Sequence, residues 1–158
     1  MGYYVTLESS NARIPQGALD EAYRLLCDLN NDNSLKNGGN GLSFDKAWRE
    51  ANQFGANENV WFSWMHWNYP EVCTNTGDIL HEVGFEFSLG SDGLLFQCYD
   101  NKTGCEDVFL AALAPVLAST DDEAPFFLWR GEDGAVWRQI LVDGELVSQV
   151  GRIAFEPV

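Results

Sequence analysis

Three tryptophans fall within seven residues in the run Val60-Trp61-Phe62-Ser63-Trp64-Met65-His66-Trp67-Asn68-Tyr69-Pro70. A large aromatic side chain carries ~150–250 Å² of mostly apolar area. A chain holding this run must therefore bury most of it or turn it into a contact surface. Read with period 2, Trp61, Ser63, Met65 and Trp67 share one side, and Phe62, Trp64, His66 and Asn68 the other. Neither side is polar throughout, so a strand here would be covered on both faces. Read with period 3.6, the tryptophans would line one helix face. The β-forming aromatics and Pro70 favour strand or extended chain, and that is the expectation. Trp64 and His66 are the candidate binding residues of the run. His66 has no acid or thiol at a ligand-like offset, which favours a hydrogen-bonded structural role.

The other elements sort around that stretch. Tyr3-Tyr4-Val5-Thr6-Leu7-Glu8 alternates and reads as the first strand, ended by Ser9, Ser10 and Asn11. Pro15 falls at N1 of an amphipathic helix reaching about Leu29, with Leu19, Ala22, Tyr23, Leu26 and Leu29 on one stripe. Residues 30–43 are rich in Asn and Gly and read as a flexible surface loop with nothing to bury. A second helix, capped by Ser43 or Asp45, places Phe44, Ala47, Trp48 and Ala51 on one face. Asn75 or Thr76 caps a short helix over 78–83, closed by Gly84. Strands at 85–89 and 94–99 then flank Asp92-Gly93, a two-residue hairpin signal. That turn pairs Leu89 with Phe96 and Phe87 with Cys98 on a buried face, leaving Glu86 and Tyr99 on the other. Thr103-Gly104-Cys105-Glu106 reads as a capping box opening a helix that buries Phe109, Ala112, Leu113 and Val116.

Residues 125–155 read as a meander of strands at 125–130, 136–142, 145–150 and 152–155. With Asp133-Gly134 as a two-residue turn, Arg130 opposes Trp137 and Trp129 opposes Arg138. Exposed Arg–Trp pairs of this kind contribute ~0.5–1 kcal/mol each. Trp129, Arg130, Trp137 and Arg138 are therefore candidate binding residues. The competing reading is that they stack on one another over the sheet. The fold class expected from this element order is α+β, one domain over 1–158, with a mainly antiparallel sheet and helices packed on one face.

Charge narrows the partners. The formal net charge is −15, from 24 Asp/Glu against 9 Lys/Arg. Such a field repels phosphate backbones and anionic lipids, which disfavours direct nucleic-acid or membrane binding and favours a protein with a basic surface. The N-terminus lacks a basic stretch followed by a long apolar one, so the expected location is cytoplasmic. Cys27, Cys73, Cys98 and Cys105 form no CxxC pair and neither histidine has ligand spacing, so no metal and no cofactor are expected. No motif singles out a catalytic chemistry, and His66, His81, Asp100, Glu132 and Asp133 form no recognisable constellation.

Through Trp61-Phe62-Ser63-Trp64-Met65, Gly84-Phe85, Tyr99-Asp100-Asn101-Lys102-Thr103-Gly104 and Trp129-Arg130-Gly131-Glu132-Asp133-Gly134-x-x-Trp137-Arg138, the chain resembles a family of small proteins encoded by actinobacteria and their phages. The likeness covers residues 1–8, 15–30 and 60–156, with the Asn/Gly loop and second helix looking like an insertion. It implies a setting, that of an accessory protein of bacterial or phage origin, but no activity and no site residues. In that setting, binding and interfering with a host protein is a common role. The leading expectation is thus a non-catalytic, acidic protein-binding module. The alternatives are a small-molecule binder using residues 60–70 as a pocket wall, or a small enzyme whose site is assembled from distant residues.

Overall fold

A bent strand near the N-terminus organises the sheet in the computed structural model, which describes residues 2–40 and 46–158. Alternation turns Val5 and Leu7 inward along β1 (Val5–Ser10). The strand was expected to stop at Ser9; instead it kinks at Asn11 and resumes as β2 (Ala12–Ile14). Asn11 is buried at the kink. Its amide donates to Asp121 Oδ1 (2.9 Å) and the Ala124 carbonyl (3.1 Å), and its Oδ1 accepts from the Phe126 N–H (2.8 Å). A side chain satisfied in this way is buried without an orphaned polar group.

β1 lies between β6 (Gly93–Asn101) and β8 (Phe126–Gly131), while β2 pairs with the other end of β6 and with β7 (Ala118–Ser119). With β5 (Phe85–Gly90), β9 (Val136–Val142) and β10 (Glu145–Val150), the sheet has eight antiparallel strands in the order β10-β9-β8-β1-β6-β2-β7, and β5 is paired on β6. Helices α1 (Leu19–Leu29), α4 (Thr76–Val83) and α5 (Glu106–Leu113) carry the core's second layer. Ala22, Leu26, Ile79, Leu80, Val83, Phe109, Leu110 and Leu113 join Val5, Leu7, Phe85, Leu94, Phe96, Phe127 and Trp129 in one buried cluster. Full burial of a Leu, Ile or Phe contributes about 1.5–3 kcal/mol, so this layer outweighs any local propensity. The α+β class with a mainly antiparallel sheet is the observed one.

Several local expectations are corrected. Pro15 stands before a 3-10 turn (Gln16–Ala18), in extended backbone, rather than at N1 of α1. The aromatic run is not a long strand. Only β4 (Val60–Trp61) is strand, paired with β3 (Gly38–Gly39). The chain then turns, because Phe62, Met65 and Tyr69 are drawn into the core while Trp64 and His66 stay outside. α3 (Tyr69–Val72) follows with Pro70 in its first turn, where a missing N–H costs nothing. The Asn/Gly segment does bury side chains: Asn33 and Lys36 are both inside, with Lys36 Nζ donating to Asn33 Oδ1 at 2.6 Å. Ser43, Phe44 and Asp45, expected to open the second helix, lie outside the described residues, whereas α2 (Lys46–Ala51) is present. No strand forms at 152–155, and Phe155 is 94% exposed.

The β5–β6 hairpin turns through Ser91-Asp92, two residues out of the expected register, so that Phe87 opposes Phe96. A shift of two keeps the faces, and Phe96 is buried as expected, but Phe87 is only half-buried and Leu89, expected on the buried face, is exposed at the end of the hairpin. Past Gln97 the ladder slips by one: Glu86 opposes Cys98 and Phe85 opposes Tyr99. That bulge reverses the expectation for two side chains, sending Tyr99 into the core and Cys98 outside.

Candidate functional site

The expected Trp–Arg patch on β8 and β9 is taken apart by one residue of loop length. Gly131 pairs with Ala135, and Glu132, Asp133 and Gly134 form a three-residue loop with Gly134 at φ +85°. Trp129 therefore opposes Trp137, Leu128 opposes Arg138 and Arg130 opposes Val136, which sends tryptophans and arginines to opposite faces. Trp129 is fully buried, stacked on half-buried Trp137 with centroids 6.5 Å apart, and its indole N–H donates to Gln139 Oε1 at 2.7 Å. Arg130 and Arg138 lie on the open face, held by Glu8 (2.7 Å) and Gln149 (3.0 Å). Trp129 is thus a core residue. Trp129→Ala should destabilise the domain by about 3–5 kcal/mol in urea unfolding, the range for emptying a buried aromatic site.

His66 is exposed, stacks on Trp67 (5.8 Å) and accepts the Asn68 N–H on Nδ1 (3.0 Å). It fastens the entry to α3. Trp64 has a different fate. The Met65 N–H bonds to the Phe62 carbonyl at 3.0 Å, closing a turn in which Trp64 is the third residue at φ +68°. Ser63 before it is not in positive φ, so the turn has type II geometry, whose third position favours glycine. A tryptophan fills it and stands 73% exposed.

That turn forms one wall of a cleft of about 710 Å³. The cleft is lined by Trp61, Trp64, Tyr3 and Lys102, with Val5, Thr103 and Glu106 as its buried base. Asn37 stitches the walls together: its Oδ1 accepts the Ser63 N–H (2.7 Å) and its amide donates to the Thr103 carbonyl (2.7 Å). Tyr3 donates its hydroxyl to Asp133, which tethers the N-terminal segment to the 131–134 loop.

The base of the cleft is where the expected capping box fails. α5 begins at Glu106, with Cys105 at its N-cap and no side-chain cap. Thr103 and Glu106 instead converge on the Tyr99 hydroxyl, at 2.7 and 3.1 Å. The physical cause is the bulge at Gln97, which carries Tyr99 inward; a buried hydroxyl needs partners, and these two side chains supply them. Cys105 Sγ lies 3.4 Å from Thr103 Oγ1 as donor, so the chain runs Cys105 to Thr103 to Tyr99 to Glu106, ending on the carboxylate as acceptor. Burial raises the Glu106 carboxyl above its ordinary range, opposed by its own backbone N–H and the Tyr99 bond. Burial likewise raises Asp107, whose Oδ1 accepts from Gln139 at 3.1 Å. Tyr99, Thr103 and Glu106 were missed as a group because the Thr-x-x-Glu spacing fits a local cap equally well.

Among the described residues no group of three or more His, Cys, Asp or Glu could hold a metal ion, and no helix is long and apolar enough to cross a membrane. No protein-family model, no curated protein and no solved structure matches the chain.

Proposed function

We propose that the chain is a non-catalytic, acidic protein-binding module whose contact with a basic partner protein is anchored on Trp64. The observation that carries this reading is the exposed indole at a turn position that favours glycine. A non-glycine residue held at positive φ costs about 1–3 kcal/mol, and such strain gathers at functional positions. Burial does not repay it here, since most of the indole faces solvent. Tryptophan is also a residue type most enriched at binding hot spots. The net charge of −15 would steer a basic surface toward the site, an attraction that weakens as added salt shortens the Debye length from about 10 Å at 0.1 M. The setting that fits is an accessory protein in a bacterial or phage-infected cell, acting on a host protein without touching nucleic acid or membrane.

Trp64→Gly separates function from structure because the two effects have opposite signs. The variant should be more stable by about 1 kcal/mol through relief of the left-handed backbone, read as a raised urea midpoint. It should also lose the salt-sensitive partners that the unaltered chain captures from a bacterial lysate. Equal capture of the same basic proteins by Trp64→Gly would sink the reading.

A further inference from the structure

We infer that the cleft beside Trp64 receives one arginine side chain of the basic partner, its guanidinium on the Glu106 carboxylate and its plane against the Trp61 and Trp64 indoles. This rests on the protein-binding reading above and names what the partner inserts.

Glu106 is the first support. It is 7% exposed, yet it belongs to none of the ion pairs among the described residues, which join Arg24 with Glu21 and Asp28, Lys46 with Glu50 and Arg130 with Glu8. A carboxylate removed from water without a cation is costly, and a cation entering the cleft relieves that cost. The hydroxyls of Thr103 and Tyr99 are already oriented to donate along the chain that ends on Glu106, which favours its acceptor form.

The walls select the kind of cation. Indole faces attract cations, and arginine is the protein cation most often found on them because its planar, weakly hydrated group both stacks and donates in a fork. A lysine ammonium is more strongly hydrated and would use the indole walls less fully. Among the described residues the cation lining the cleft is Lys102, whose ammonium lies over the Tyr4 ring at 5.2 Å from the centroid. Tyr3 in the lining is bound to Asp133, which adds negative charge beside the cleft. An anionic ligand would meet Glu106 at the base, so this cleft suits a cation.

The test uses the full chain and an acetylated, amidated peptide Gly-Gly-Arg-Gly-Gly, with citrulline or lysine in place of arginine as controls. Citrulline keeps the shape of arginine and removes its charge. Binding is read from the indole N–H resonances of Trp61 and Trp64, the latter assigned by its loss in Trp64→Gly. The arginine peptide should shift both resonances saturably, with affinity falling about tenfold or more for citrulline, for loss of a charged hydrogen-bonded pair. Lysine should bind more weakly than arginine. Glu106→Gln should reproduce the citrulline loss; if that variant does not fold, the citrulline comparison on the unaltered chain carries the same information. Absence of shifts at Trp61 and Trp64 up to about 10 mM arginine peptide, or equal binding of arginine and citrulline peptides, overturns the inference. If Trp64→Gly still abolishes partner capture in that case, the partner uses Trp64 without the cleft and the protein-binding reading stands. If capture is also unchanged, both fall.

Discussion

Gly93→Val should destabilise the domain severely. Gly93 opens β6 at φ +94°, and a Cβ there would lie 2.0 Å from the Ile14 carbonyl oxygen, 2.7 Å from the Gln16 nitrogen and 2.8 Å from the Pro15 carbonyl carbon. All three are backbone atoms, and Ile14 is held in turn by its pairing with Leu94. Nothing there can swing aside as a side-chain tip would. Overpacking against backbone, added to a positive φ that β-branched residues resist, places the cost above about 4 kcal/mol, against a typical total stability of about 5–15 kcal/mol. Gly144→Ala is the control: Gly144 also has positive φ (+82°) but nothing within 4 Å of the added atom, so only the conformational cost applies. Urea unfolding of both variants checks the claim. A Gly93→Val protein with a midpoint close to that of Gly144→Ala would show that β2 can retreat.

Stability should fall steeply on the alkaline side of about pH 9. Burial raises Cys73 and Cys105 from 9.0 to about 11 and also raises Cys27, Tyr69 and Tyr99. The unfolded chain sheds its thiol protons near 9.0 while the native state keeps them, so rising pH favours unfolding. Lys36 acts in the opposite sense. Burial lowers it from 10.5 to about 8, so between those values the native state has released a proton that the unfolded chain still holds. One lysine cannot offset the buried thiols, to which the tyrosines add above pH 10. With about 1.4 kcal/mol per pH unit for each uncompensated proton, the net loss is roughly 1–3 kcal/mol per unit between about pH 9.5 and 10.5. Urea midpoints at about pH 9, 9.5, 10 and 10.5 measure it. A free energy that stays level or rises over that range would mean that the thiols are not buried as described.

The parts of the fold legible in the sequence are those fixed by near neighbours. Asn75 caps α4 by accepting the Asp78 N–H at 2.8 Å, and Gly84 ends it at φ +116°, both as the local signals require. β8, β9 and β10 begin and end close to where their turn residues place them. Register was less accessible. One residue of loop at 132–134 and one bulge at Gln97 decide whether Trp129 and Tyr99 face in or out, and period 2 gives both answers equally. Burying Trp129 beside Phe85, Tyr99 and Phe127 settles it, and that cluster joins residues far apart in the chain. The cleft was hidden for the same reason: its walls come from positions 2–5, 37, 61–64 and 102–106. Trp64 stood among the candidates by composition alone, because no periodicity marks a tryptophan that will occupy a glycine's place in a turn.

The central position of β1 sets a timetable for synthesis. β1 leaves the ribosome before both of its neighbours, β6 and β8, and Ser10 reaches across 116 residues to the Phe126 carbonyl. Until β8 emerges, β1 has one open flank in the middle of what will become the sheet. Over a hundred residues separate β1 from the strand that closes that flank. Loops of this length also make folding slow relative to a helical domain of the same size, because closure entropy is spent before the long-range contacts return it. A nascent chain stalled before residue 126 would keep the hydrogen-bonding groups of β1 unpaired along that side, and unpaired strand edges are what chaperones and aggregates both recognise.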